Sequence, residues 1–385
     1  MHRAGRTKLI ALAGVILASV ALTAACGSGS QSSGGSDGGT VTIGGLWAET
    51  GPQAVYGKWF DNGARMAVDE INAAGGIGGK TKIDLKVQDT QAMPGPAVTA
   101  FQKLLGDKVP FVMSSFSSQT LALMPIATSK KVVVINGGAQ SDALATGGYL
   151  FNDIPLLKNE SEVLAKYLAT TGGARKAAII HTSDDGGLAA EKDFAGAFKS
   201  AGGEVVGDES AAFGATDYRS QLTKLRNSGA DVLLIGAYGQ DSNNIISQVR
   251  EIGWDIKLAN TSWVAIPSVL ANPAAEGLTA TVIPFQPTQA FRDAYQKKYG
   301  EAPASAFIGN YYDAVKSFAK AYEKASSSGK VDGESLAKAI REIGTFDSSY
   351  GSPLTFDKEQ VASRPINIAM LKNGKFETIV KDAGK

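Results

Sequence analysis

The chain has 385 residues, 44% of them hydrophobic and 19% charged, and its 38 basic and 37 acidic residues leave a formal net charge of +1. That balance excludes a disordered polyelectrolyte, and the lack of a clustered basic surface argues against nucleic acid as a partner. The length can bury a large core and suggests two domains.

The first 25 residues read as a targeting segment rather than as fold. Arg3, Arg6 and Lys8 precede an apolar run from Leu9 to Leu22, too short for a stable membrane span, and the run ends in TAAC. Cys26 is the only cysteine, so a disulfide within the chain is impossible. Removing residues 1–25 takes the 38 basic residues to 35 against 37 acidic, a net charge of −2. The stretch resembles a bacterial lipoprotein signal, with cleavage before Cys26 and lipid on its sulfur. It departs from that pattern at Thr23, where an aliphatic residue is usual. Residues 26–40 continue as a Gly/Ser tether, which as a flexible coil spans roughly 20 Å root-mean-square. Its GGSDG matches the GxSxG nucleophile elbow in letters only, because no strand precedes that serine and no helix follows it.

From Val41 the pattern becomes strand, glycine loop, helix, glycine stop. Ala64, Ala67, Val68 and Ile71 fall at i, i+3, i+4 and i+7, one helical face, and Gly75 and Gly76 end the helix. Ile83, Leu85 and Val87 alternate with polar residues as a half-exposed strand. Val98, Phe101, Leu104 and Leu105 form the next helix face. Strands are expected at Val109–Met113, Val132–Ile135, Ala177–Ile180, Val205–Val206, Val232–Ile235 and Thr279–Ile283, with helices between them from Ala189, Asp217 and Ser242. Further helices are expected near Gln289–Tyr299, Phe307–Lys324 and Glu334–Ile343. Ile366–Leu371 reads as the last strand, followed by an Asn373–Gly374 turn. Alternation of this kind means an α/β fold with parallel sheets and right-handed crossovers.

The opening unit carries more than periodicity. TGPQAVYG followed by NGARMAVDEINAAGGIGG resembles the start of the branched-chain amino-acid-binding family, the type I periplasmic solute-binding proteins of ABC importers. The resemblance is strong over 43–79, moderate to about 260 and weak beyond. It implies two Rossmann-like lobes joined by three crossing segments, near 157–160, 283–287 and 350–356. Lobe 1 would be 41–158 plus 286–352, and lobe 2 would be 159–285 plus 353–385. It also implies a small-molecule ligand in the cleft between the lobes, ABC permease subunits as partners, and attachment to the membrane through lipid on Cys26.

Carried over position by position, the resemblance puts Tyr56 on a ligand-walling tyrosine and Ser117, within SSFSSQT, on the ligand-carboxylate serine. Gly138 falls on a residue that uses its backbone, Gln140 on a carboxylate-binding threonine, and Tyr238 on a second-lobe tyrosine. Two departures stand out. The stretch that should supply a glutamate for an α-ammonium is ANTSWVA, residues 259–265, without an acid and with Trp263 in it. Another family tyrosine is Gly186 here. Asp185 is the nearest substitute for the missing carboxylate. These departures predict a ligand with an anionic or amide head, larger than valine.

Catalytic alternatives are poorly supplied. His2 leaves with the signal, so His181 is the only mature histidine, and no serine has elbow context. No set of Cys and His could hold zinc, no nucleotide-binding glycine motif sits between strand and helix, and no cofactor is expected. A non-enzymatic, lipid-anchored solute receptor results. A ligand sensor of the same fold is the alternative, and a hydrolase is disfavoured by the lone histidine.

Overall fold

The computed structural model describes residues 39–384, so the signal segment, Cys26 and most of the tether lie outside the described residues. β1 (Thr40–Trp47) begins inside the stretch expected to be tether. It leads into α1 (Ala54–Ala73), β2 (Lys82–Asp89), α2 (Pro94–Gly106), β3 (Phe111–Ser114), α3 (Ser117–Lys130), β4 (Val133–Asn136) and β5 (Leu150–Asn152). The five strands form one all-parallel sheet in the order β2-β1-β3-β4-β5.

The second series is α4 (Leu157–Ala169), β6 (Lys176–Thr182), α5 (Asp185–Ser200), β7 (Glu204–Ala211), α6 (Arg219–Arg226), β8 (Val232–Gly236), α7 (Gly239–Glu251), β9 (Lys257–Asn260), α8 (Pro267–Leu270) and β10 (Thr279–Val282). After it come α9 (Gln289–Tyr299), α10 (Ala306–Ser326) and α11 (Gly333–Ile343), then a two-residue pair, β11 (Thr345–Phe346) and β12 (Leu354–Thr355). β13 (Asn367–Lys372) and β14 (Lys375–Val380) finish the chain. The second sheet runs β14-β13-β10-β9-β8-β6-β7, with β13 antiparallel to both of its neighbours, β10 and β14, and the other pairs parallel. Ile366–Leu371 is therefore not the last strand: Asn373 and Gly374, both at positive φ, turn the chain into β14.

The periodic face read from the sequence is the one that is buried. Ala64, Ala67, Val68 and Ile71 of α1 all lie in the core, with Phe60 and Trp59 beside them. Each large apolar side chain so buried contributes about 1.5–3 kcal/mol. α10 packs along α1 closely enough that a Cβ on Gly63 would stand 2.2 Å from the Ile308 carbonyl oxygen.

The chain passes between the two sheets at 153–156, 283–288 and 363–366. The first passage precedes the expected 157–160 because α4 already packs on α5 from Leu157. The third follows the expected 350–356. Gly351, at φ +75°, belongs to the loop between β11 and β12, and Val361 still bridges to Asn152 beside the first sheet. Arg364 in the third passage ties these segments together. Its guanidinium lies 2.6 Å from Asp153 of the first passage, 3.6 Å from Asp313 of α10 and 3.8 Å from the centre of the Tyr350 ring.

Candidate functional site

The parallel strands of both sheets point their carboxyl ends into one cleft, the place where open α/β sheets leave room for ligands. The first wall is built on α1. Gly57 lets that helix press on the end of β1, where a Cβ would lie only 1.7 Å from the Ala48 carbonyl oxygen. This fixes Tyr56, one residue earlier. Its hydroxyl donates to the Trp263 carbonyl at 2.7 Å and accepts from the Gly239 amide at 2.9 Å, so one side chain of the first lobe bonds two backbone groups of the second. Burial pushes the Tyr56 hydroxyl well up, which keeps its proton in place as the donor.

Two residues beyond β3 stands Phe116, held at φ +53°, and α3 starts at Ser117. Phe116 stacks on Tyr238 across the cleft with ring centres 5.9 Å apart. Tyr238 in turn meets Trp263 edge to face at 5.0 Å, and its hydroxyl donates to Asp184 Oδ2 at 2.7 Å. Phe60 and Phe307 complete the aromatic lining, with Gly138, Ala139 and Ser117 between them. The cavity is about 20 Å³, room for one water. Gly186 does not open the space expected from a lost tyrosine. A Cβ there would sit 3.2 Å from Asp184 Oδ2, 3.3 Å from the Tyr238 ring and 3.5 Å from that of Trp263, which occupy the space beside it.

Tyr56, Ser117, Gly138, Tyr238 and Trp263 are thus gathered on one cavity. Gln140 is not among its lining. Its amide points toward the first passage, donating to the Pro155 carbonyl at 2.9 Å and to the buried carboxylate of Glu160. Glu160 also accepts from the Ser262 amide at 2.9 Å, the Ser262 hydroxyl at 2.8 Å and the Thr281 hydroxyl. A longer side chain than threonine reaches past the cleft to this acid, which explains the displacement. Asp185 is exposed and contributes its backbone, whose N–H donates to Ser118 Oγ at 3.0 Å. Its neighbour Asp184 faces inward instead, because it caps α5 and holds Tyr238.

A buried acid of the second lobe lies on an element the sequence did not single out. Asp241 in the first turn of α7 is 1% exposed, accepts from the Gly214 amide at 2.9 Å and the Tyr218 hydroxyl, and meets Gln53 Nε2 of the first lobe at 3.3 Å. Burial raises its pKa, partly offset by those hydrogen bonds. Phe60 was readable from the sequence as the residue one helical turn beyond Tyr56. Asp241 follows Tyr238 by three residues, but nothing in the sequence said that this helix start would fold inward.

His181 bonds the Thr182 carbonyl at 2.9 Å and faces Asp208 at 3.5 Å. Among the described residues no cluster of His, Cys, Asp and Glu could hold a metal ion, and no helix is long and apolar enough to cross a membrane. A larger groove of about 630 Å³ lies on the outer side of the first lobe between α1, α9 and α10. It is open, and its Lys316 is taken by Glu70 at 2.8 Å, so the converging strand ends make the cleft the better candidate.

The periodic strand–helix order, two sheets and shared cleft are matched by relatives over almost the whole described chain. Residues 40–375 fit the family model described as "Periplasmic binding protein". This chain belongs to the periplasmic binding protein family. It is similar to the leucine-, isoleucine-, valine-, threonine- and alanine-binding protein of Pseudomonas aeruginosa, at 28% identity over 319 residues, covering 80% of this chain and 84% of that one. It is similar in structure to the branched-chain amino acid transporter substrate-binding protein of Streptococcus pneumoniae in complex with isoleucine, with a TM-score of 0.77, 28% identity, and coverage of 89% and 99%. A solute-binding protein of R. palustris in complex with benzoate shares the fold at a TM-score of 0.80 and 19% identity, covering 89% of this chain and 96% of that one. The type I, two-lobed periplasmic binding architecture expected from residues 43–79 is the one this chain has.

Proposed function

We propose that this periplasmic binding protein is the lipid-anchored receptor of an ABC importer, closing its two lobes on a small organic ligand without chemical turnover. The observation that carries the reading is the pair of bonds from Tyr56 to Trp263 and Gly239, made across an aromatic cavity where both sheets end. Gln53 to Asp241 and Asp185 to Ser118 add further bonds between the lobes. Each exists only when the lobes are together, so a ligand that favours closure gains them all; that is hinge closure around a bound molecule. A cavity of about 20 Å³ admits no organic ligand until the lobes part and the rings move aside. The relatives' names give amino acids and benzoate as cargo for those proteins, and they support a small, partly apolar cargo for this one. Cys26, followed by the Gly/Ser tether, supports anchoring of the folded body to the membrane.

The test is a paired titration. Ligand should raise the melting temperature in a concentration-dependent way and reduce the radius of gyration in small-angle scattering. The ligand should be recovered unchanged after long incubation. A chemically altered ligand would replace the receptor by an enzyme.

A further inference from the structure

The loops that face the cleft carry charge of one sign. At the carboxyl ends of the strands stand Glu49, Asp142, Asp184, Asp185, Asp217 and Asp241, while the stretches 48–53, 90–93, 115–116, 137–142, 183–185, 212–218, 237–241 and 261–266 contain no Lys, Arg or His. The chain as a whole is nearly neutral at +1, so this is a local asymmetry. A cleft lined by one sign of charge with low-dielectric walls concentrates ions of the other sign.

Two of these acids stand next to residues of the aromatic cavity without lining it themselves. Asp184 holds the Tyr238 hydroxyl, and Asp241 lies one helical turn beyond Tyr238 at the buried meeting of the lobes. Their partners are hydroxyls, backbone amides and the Gln53 amide, all neutral. Two carboxylates in a closed site with neutral partners leave a negative field that a bound cation would neutralise.

An independent observation points to where the cation's protons go. Gln53 is 1% exposed, and its side-chain oxygen Oε1 has no hydrogen-bond partner among the described residues. Turning the amide round would not relieve this, because the oxygen would then face the Asp241 carboxylate that Nε2 now meets at 3.3 Å. A buried carbonyl oxygen beside a carboxylate is a place for an N–H donor. Gln53 Oε1 lies beside Gly239, whose amide bonds the Tyr56 hydroxyl, so the neighbouring cavity of Tyr56, Phe116, Tyr238 and Trp263 offers ring faces, which attract cations and cover an apolar body.

The donors that would hold an anionic head are largely spent. Asn136 Oδ1 takes the amides of Gly138 and Ala139 at 3.1 and 2.7 Å and Gln140 is bound to Glu160, while Ser117 Oγ accepts from the Ser141 amide and keeps its own O–H as a neutral donor. The first turn of α3 has no side-chain cap and remains as a donor, but a helix terminus is worth about half a positive charge. Two full carboxylates outweigh it.

We infer that the cleft selects a small organic ammonium ion: an apolar body among the aromatic rings and a protonated amine held by Gln53 Oε1 and Asp241, with Asp184 behind Tyr238 adding to the field. This rests on the receptor reading above and names the class of its cargo. A carboxylate on the ligand is not required and is disfavoured.

The test is calorimetry on the full chain with matched series: 3-methylbutylammonium and 2-phenylethylammonium chlorides, the corresponding alcohols and carboxylates, and leucine and phenylalanine. The ammonium ions should bind at least tenfold more tightly than their alcohols, and the carboxylates should bind more weakly still. Asp241→Asn should bring the ammonium-to-alcohol ratio from at least tenfold to about one. Gln53→Leu, which spares the bonds Asp241 makes inside its own lobe, should cut ammonium affinity at least tenfold if the Asn variant does not fold. Ammonium and alcohol binding alike, or an amino acid or carboxylate binding ahead of the ammonium ion, overturns the inference. If scattering shows closure on leucine or on a carboxylate but not on the ammonium ions, the receptor stands and only the ligand class falls. A radius of gyration that no compound changes removes both.

Discussion

Tyr56 shows how much one hydroxyl can be asked to do. It satisfies a carbonyl and an amide of the other lobe, both buried when the lobes meet. Tyr56→Phe keeps the ring packing but leaves both groups unpaired on closure, at about 1–3 kcal/mol each. Ligand affinity should fall at least tenfold with the melting temperature of the unliganded protein little changed, as calorimetry and thermal unfolding would show; unaltered affinity would mean closure does not use this bond. Glu160 has a different place. Its carboxylate gathers donors from Gln140, Ser262 and Thr281, so Glu160→Ala strands several buried donors at once and should lower stability by about 3 kcal/mol, read from the urea midpoint. A wild-type midpoint would show that water replaces the acid without loss. The sequence revealed these residues unevenly. Tyr56, Ser117, Gly138, Tyr238 and Trp263 could be placed because each stands at a strand end or first helical turn, where the chain geometry sets position. Gln140 could not, because the length of its side chain, not its position, decides that it reaches Glu160. Asp241 could not, because a polar residue in the first turn of an amphipathic helix faces solvent as readily as a neighbouring lobe, and only tertiary packing chose.

The passages between the sheets carry an ion cluster rather than plain linkers. Arg364 is 3% exposed at its side chain, between Asp153 and Asp313 and over the Tyr350 ring. Removing the cation leaves two buried carboxylates facing each other. Arg364→Met should therefore destabilise by about 3–5 kcal/mol, the usual result of breaking a buried pair by one partner. Urea unfolding reads the loss; a change below 1 kcal/mol would mean that water or protonation compensates the acids. The same passages show where reading the sequence runs short. Long periodic segments such as α1 and α10 were legible because a helical face repeats over many turns, and burial then follows the pattern. β5 and β9 were not, since they span three and four residues, Leu150–Asn152 and Lys257–Asn260, too short for a period to show. The crossings were displaced for a related reason. Gly351 and Pro353 signal a turn, but a turn inside the β11–β12 pair gives the same signal as a passage between lobes. β14 was missed because its exposed face dilutes the apolar pattern, whereas the Asn373–Gly374 turn leading to it was plain.

Two parts of the proposed function concern the body as a unit, its attachment to a membrane and its closure. On the first, a diacylated cysteine carries two chains, and two anchoring signals are what stable attachment takes. Cys26→Ala should move the protein from the membrane to the soluble fraction, and equal partitioning of both forms would remove the anchor. On the second, closure should depend on pH through a pair that spans the lobes. Asp193 of α5 faces Asp142 in the loop after β4, and burial, with Asp142 next, pushes the Asp193 carboxyl up to about 7. Lys158 and Lys192 stand near and pull it back only in part. With the lobes apart, Asp193 returns toward the ordinary carboxylate value of about 3.9. The closed form therefore holds one more proton than the open form between roughly pH 4 and pH 7, so this pair favours closure at low pH, and its support is lost as pH rises through 7. Because Asp193 is half exposed, solvent screens the pair, and the effect on ligand affinity between pH 6 and pH 8 should be about three- to tenfold. Asp241, also raised by burial, titrates in the same cleft and can bend the profile the other way for a cationic ligand. The clean measurement is the difference between wild type and Asp193→Asn, followed by calorimetry across that range. The variant should lose the fall in affinity above pH 7 and bind at least as well as wild type at pH 8. Parallel profiles for the two proteins would show that the Asp142–Asp193 contact survives opening or never forms, and that closure is indifferent to it.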